Sequence, residues 1–325
     1  MKEKNGDTSL TLGIDLGGTK LEVVLTDRAG EIVTSNRLPT DSHRGAEAVI
    51  ADIVKGVNLC LDEAGKPATA LGVGTAGQIE KETGLVRLSP NLGWQNVPLK
   101  TKLEQALDIP VMVTNDVRAV TYGEWQYGAG KGIDDIACVF VGTGIGGGIV
   151  IDGKLLEGCT NSGGELGHLT IMVDGRKCTC RNRGCYEAYA GGWAIAERAQ
   201  EAAQADPEAG RALIELAGNP DRISAVTVTE AYNKGDALAG VIVKETVRYL
   251  AAGLVSIINA FNPRLVVLGG GVIQGMPEYL PMTEEIVRRD ALESALEGIS
   301  IVAPALGGKA GAIGAAALAR DGLLK

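Results

Sequence analysis

The 325-residue chain carries 31 Lys and Arg against 40 Asp and Glu, a net charge of −9 that argues against an extended nucleic-acid or anionic-membrane surface. No stretch of 18 apolar residues occurs, and Met1-Lys-Glu-Lys-Asn-Gly6 has no apolar leader core, so a cytoplasmic protein with no membrane or nucleic-acid partner is expected. Glycine supplies 46 residues, double the usual share of roughly 7%. These glycines fall in discrete clusters between apolar runs, a pattern that suits backbone approaching a ligand closely.

Residues 9–39 read as three strands. Leu10–Leu16 runs into Gly17-Gly18, a second strand starts at Lys20, and Asp27-Arg-Ala-Gly30 turns the chain into a third at Glu31. A helix over about 44–64 puts Val49, Ile50, Ile53, Val54, Val57 and Leu61 on one face. Residues 70–74 and 110–114 read as buried strands of a central sheet. The opening order then returns: a strand at 135–141, a glycine turn over 142–148, a strand at 149–151 and the turn Asp152-Gly-Lys154. That recurrence predicts a duplicated core, although two unrelated hairpins would read the same way.

Further on, a helix over about 236–261 ends at Asn262-Pro263. A buried strand at 264–268 runs into Gly269–Gly271, and a long helix is expected over 278–296. Small residues from Gly311 to Ala319 suit close packing on a sheet. Alternating strands and helices give an α/β class with two domains. The expected division is 1–117 and 118–307, with a helix over 308–325 packing back on the first.

Two glycine loops are candidates for a phosphate clamp. Asp15-Leu-Gly-Gly-Thr-Lys20 offers the backbone N–H groups of Gly17 and Gly18, the Thr19 hydroxyl and the Lys20 cation, with Asp15 placed to hold a magnesium water. Gly142, Thr143, Gly144, Gly146 and Gly147 offer the same chemistry, and Gly270 and Gly271 follow a buried strand. Neither a Walker motif nor a dinucleotide fingerprint is present. Of six cysteines, Cys60, Cys138 and Cys159 read as small buried hydrophobes. His168, Cys178, Cys180 and Cys185 form a donor set suited to tetrahedral zinc with no open position, hence structural. By spacing alone, reduced thiols beside a core histidine are an equal reading.

These residues resemble the ROK family of bacterial sugar kinases and sugar-responsive repressors, from Leu12 to about Ala319. The most specific part is Gly164-Glu165-Leu-Gly-His168 followed by Cys178-x-Cys180-x4-Cys185-Tyr-Glu187. The resemblance implies the actin-like, ribonuclease H-like ATPase fold, with a duplicated two-domain core around a nucleotide and sugar cleft. It implies an ATP:hexose phosphotransferase, with glucose the favoured substrate, Asp116 as general base and Mg²⁺ accompanying ATP. Sugar contacts map onto Asn91, Asn115, Asp116, Glu165, His168 and Glu187, and zinc onto His168, Cys178, Cys180 and Cys185. A homodimer or homotetramer is implied as well. From the residues alone, Asp116 reads equally as a helix N-cap, Glu165 and Glu187 as surface carboxylates, and Asn91 as a turn former. Two departures stand out: Arg181 where the family usually has Gly after the C-x-C, and Ala76-Gly77 where it has Pro-Gly. Other sugars (N-acetylmannosamine, N-acetylglucosamine, fructose, mannose, allose), polyphosphate as donor, and a sugar sensor without catalysis are the competing readings. Family repressors carry a further N-terminal helix-turn-helix, for which a first strand at Leu10 leaves no room.

Overall fold

The computed structural model describes residues 9–324, so the leader reading of residues 1–6 lies outside the described residues. In chain order the elements begin with β1 (Leu10–Leu16), β2 (Lys20–Thr26), β3 (Ile32–Pro39), α1 (Ala46–Ala64) and β4 (Ala68–Thr75). Next come β5 (Gln78–Ile79), β6 (Val86–Ser89), β7 (Trp94–Val97), α2 (Leu99–Leu107), β8 (Val111–Asn115) and α3 (Asp116–Gln126). They continue with β9 (Ile136–Val141), β10 (Ile145–Ile151), β11 (Lys154–Leu155), α4 (Glu187–Ala190), α5 (Gly192–Ala205), α6 (Arg211–Ala217), α7 (Ala225–Asn233) and α8 (Ala237–Phe261). The last are β12 (Leu265–Gly269), α9 (Gly271–Gly275), α10 (Tyr279–Asp290), α11 (Glu293–Leu296), β13 (Ser300–Val302) and α12 (Ala310–Leu323).

Two compact units result. The first holds the chain up to Gly132, Glu157–Asn161 and everything from Ala305; the second holds Ile133–Leu156 and Ser162–Pro304. The division falls at Gly132 instead of residue 117 because α3 lies along α12 inside the first unit, and the chain returns at Ala305 instead of 308.

Each unit has a five-stranded sheet of the same plan. In the first the order is β3-β2-β1-β4-β8, with β1, β4 and β8 parallel and β2 and β3 antiparallel. In the second it is β11-β10-β9-β12-β13, with β9, β12 and β13 parallel and β10 and β11 antiparallel. The duplication read from the glycine hairpins is present in the topology. A small antiparallel sheet, β5-β6-β7, has no counterpart in the sequence reading, since its strands of two to four residues are too short to show a period.

The small residues of α12 serve close packing in the first unit. A Cβ at Gly72 of β4 would stand 1.8 Å from the Ala315 carbonyl oxygen, and one at Gly314 would stand 1.8 Å from that of Ala119 on α3. Sheet, α12 and α3 therefore meet backbone to backbone.

Three expectations need correction. The helix expected over 278–296 breaks at Ala291-Leu292, because Asn259 of α8 accepts the Leu292 N–H (3.0 Å) and holds both residues extended. The glycine turn of 142–148 is only Gly142-Thr143-Gly144, and Gly146–Gly148 lie within β10. Cys159 is exposed, unlike buried Cys60 and Cys138, because it sits in the loop of residues 157–161.

Candidate active site

In the first unit, parallel pairing brings the carboxyl ends of β1, β4 and β8 to one edge. Asp15 pairs with Gly74, and Gly74 with Thr114, two residues before Asp116. Glycine at 74 makes room for α3: a Cβ there would lie 3.0 Å from that of Ala119 and 3.5 Å from the Asp116 Cα. The N-cap of α3 is Asn115, whose Oδ1 accepts from Val117 N (3.0 Å) and Arg118 N (3.2 Å). The cap that sequence alone allowed for Asp116 is thus filled one residue earlier, and Asp116 occupies the first helical turn. One of its oxygens accepts from Val117 N (2.9 Å).

Burial, reinforced by the negative charge of Asp116, pushes the Asp15 carboxyl up to about 6; Lys20 opposes the shift and Glu22 adds to it. The β1–β2 turn is closed by Gly17 N donating to Lys20 O (2.9 Å), with Thr19 and Lys20 exposed. Asn91 lies against this turn, its carbonyl oxygen 2.7 Å from where a Cβ on Gly18 would be. Gly77 adopts φ 132° with the Leu88 carbonyl 2.3 Å from its absent Cβ, so the glycine of the Ala76-Gly77 pair is obligatory even though the proline is replaced.

In the second unit the β9–β10 turn is closed by Gly142 N donating to Gly144 O (2.9 Å). Glu187 faces this turn: Oε2 accepts from Ile145 N (2.8 Å) and Oε1 from Trp193 Nε1 (3.2 Å). A Cβ on Gly144 would sit 2.2 Å from that carboxylate. Leu166 fills the space left by Gly147, and Gly167 lies with its absent Cβ 2.1 Å from the Ile145 carbonyl. The Glu165–His168 turn is thereby seated on β10, with Glu165 exposed and His168 half-buried. The glycine at 147 answers to this packing.

Gly142, Thr143 and Gly271 line one cavity of about 670 Å³ with Trp193, Ser224 and Val272. Val226, Thr229, Glu230 and Asn233 add one face of α7 at helical spacing. None of these α7 residues stood out in the sequence. The available signal was Ser224-x-x-Thr227, a capping box in which each side chain accepts the other's backbone N–H. Gly270, at φ 95°, has the Val141 backbone 2.4 Å from its absent Cβ, so its role here is β12–β9 packing.

His168, Cys178, Cys180 and Cys185 place one donor atom each within 4.8 Å of one another. The Cys178 Sγ to His168 Nδ1 distance is 3.8 Å and the Cys180 to Cys185 Sγ distance 3.6 Å. A tetrahedron with bonds of about 2.3 Å has edges of about 3.8 Å, so the donor set fits zinc. Arg181 sits at φ 79°, a conformation that favours glycine, which gives the family's usual residue there a physical reason.

The ROK family profile matches residues 11–322. The chain belongs to the ROK family. It is 35% identical over 315 residues to a glucokinase of Streptomyces coelicolor, covering 96% of this chain and 98% of that one. Among solved structures it is similar to a ROK glucokinase from Streptomyces griseus in complex with glucose and AMPPNP, at 36% identity and TM-score 0.81, covering 97% of this chain and 100% of that one. A ROK hexokinase from Thermus thermophilus matches at 34% identity and TM-score 0.83, covering 95% and 97%. The α/β plan of this chain is therefore that of the actin-like ATPases.

Asp15 stays protonated in the folded ligand-free chain to about pH 6, whereas unfolded it ionises near 3.8. Its contribution to stability is complete below 3.8 and is lost as pH rises through 6. Asp15→Asn should therefore stabilise the chain above pH 6, by on the order of 2 kcal/mol. The gain should shrink toward zero near pH 4, as read by denaturant unfolding across that range.

Proposed function

We propose that the chain transfers the γ-phosphoryl group of ATP to glucose, giving glucose 6-phosphate. The Asp15–Asp116 carboxylate pair at the ends of parallel strands carries the phosphotransfer reading, and the glucokinase relatives carry the choice of sugar. A sugar hydroxyl is a weak nucleophile, so it needs an aligned base. Asp116, fixed in the first turn of α3, accepts the hydroxyl proton as the oxygen–phosphorus bond forms. Asn91, Asn115, Glu165, His168 and Glu187 hold the sugar. Glu187 keeps its two protein donors and offers its remaining lone pairs.

Gly17, Gly18, Thr19 and Lys20 bind phosphate oxygens from the first hairpin, and Gly142, Thr143 and Gly144 from the second, with Gly146 and Gly147 shaping its strand. The 670 Å³ cavity suits the nucleoside: Trp193, Val226 and Val272 supply apolar walls, and Ser224, Thr229 and Asn233 supply polar groups. Gly271 lines it beside Val272. The negative field around Asp15 suits a hard cation, and Mg²⁺ arriving with ATP would neutralise phosphate charge there. Zinc, held by His168 and the three cysteines, would cross-link the loop between Glu165 and Glu187 without touching the reaction.

A panel of hexoses with ATP, scored by ADP release, should give the highest kcat/KM with glucose; absence of sugar-dependent ADP would refute the assignment. Asp116→Asn should lower kcat by roughly 10²–10⁴-fold with little change in glucose affinity. A near-normal kcat would remove Asp116 as base. Metal analysis should find about one zinc per chain, and chelation should lower the melting temperature as well as activity. A metal-free chain of equal stability would contradict the structural role.

A further inference from the structure

The last turn of α3 carries Glu124, a charged side chain with no exposure to solvent. A buried carboxylate needs its oxygens satisfied. Here the donors are backbone: Oε2 accepts from Ala129 N (3.0 Å) and Ala305 N (2.9 Å), and Oε1 accepts from Leu306 N (2.8 Å). The Glu124 carbonyl accepts two more N–H groups, from Gly128 (3.1 Å) and Gly130 (2.8 Å). These donors lie where the chain leaves the first unit, just before Ile133, and where it re-enters at Ala305. The remaining excursion, Glu157–Asn161, is tied to the same helix by buried Arg118, whose guanidinium donates to the Asn161 side chain and to its carbonyl oxygen (3.0 Å).

One helix thus fastens every described segment by which the chain enters or leaves the first unit, and that helix begins with Asp116. From Asp116 to Glu124 is eight residues, about 12 Å of continuous α-helix. A shift at one end is carried to the other. Gly128 belongs to the same device, since a Cβ there would stand 2.1 Å from Glu124 Oε2 and 2.9 Å from its Cα. Glutamine is no substitute, because its amide group would turn N–H against N–H at one oxygen position.

We propose that Glu124 is a positioning residue for the reaction: it locks the crossing segments onto α3 and so fixes where Asp116 stands. This rests on Asp116 being the base. The test uses Glu124→Gln and Gly128→Ala in the full chain, with kinetics and hydrogen exchange of the Ala129, Ala305 and Leu306 amides. Wild type should protect all three amides, and Glu124→Gln should release them by about 100-fold. Both variants should lose kcat roughly tenfold or more per folded molecule, with KM for glucose within about twofold. Unprotected amides in the wild type would overturn the proposal, and this readout stands even if neither variant folds. Folded variants whose kcat per molecule is unchanged would overturn it too, since a purely structural role lowers only the amount of active protein. Exchange is read without turnover, so failure of the clamp is distinguishable from failure of the kinase assignment, which would show as wild type releasing no glucose-dependent ADP.

Discussion

The first unit is organised around two carboxylates that would separate if the backbone let them. Asp15, at the end of β1, is largely desolvated and feels the charge of Asp116, so its proton is held up to about 6. Such an arrangement opposes stability at neutral pH and persists only because the surrounding chain over-determines it. Gly74 lets α3 descend onto the sheet, while Gly72 and Gly314 let α12 lie against β4 and α3 at backbone distance. A side chain at Gly74 or Gly314 would push against α3, and so against the helix that carries Asp116.

The second unit repeats the same sheet plan for a different task. Its glycine hairpin, instead of supporting a carboxylate pair, is braced by one carboxylate: Glu187 takes the Ile145 N–H and the Trp193 indole. The zinc-type donor cluster closes the loop that precedes Glu187, and Tyr189 continues the brace by accepting Arg176 N (2.7 Å). The duplicated scaffold thus carries unlike chemistry on its two hairpins, as expected when function resides in side chains grafted on a repeated frame.

Much of this was legible in the sequence because it was local. The hairpins, the Asn262-Pro263 stop after α8 and the donor spacing at His168–Cys185 are written within short windows. What was not legible depends on distant partners. The break between α10 and α11 is made by Asn259, on another helix. Glycines at 147 and 270 looked like phosphate contacts, yet Leu166 and the β9 backbone occupy the space they leave. Helices α4 to α7 and the cavity face of α7 have no motif, only capping and helical spacing. Arg181 shows the converse: a departure from the family pattern that only the backbone conformation, φ 79°, makes intelligible.

The central claim is that Asp15 and Asp116 act on one another at the carboxyl ends of β1 and β8. Site-specific NMR titration of Asp15, in the ligand-free wild type and in Asp116→Asn, measures this directly. The account predicts a midpoint near 6 in the wild type that falls when the charge at 116 is removed. A midpoint in the ordinary carboxylate range, or one indifferent to residue 116, would contradict it.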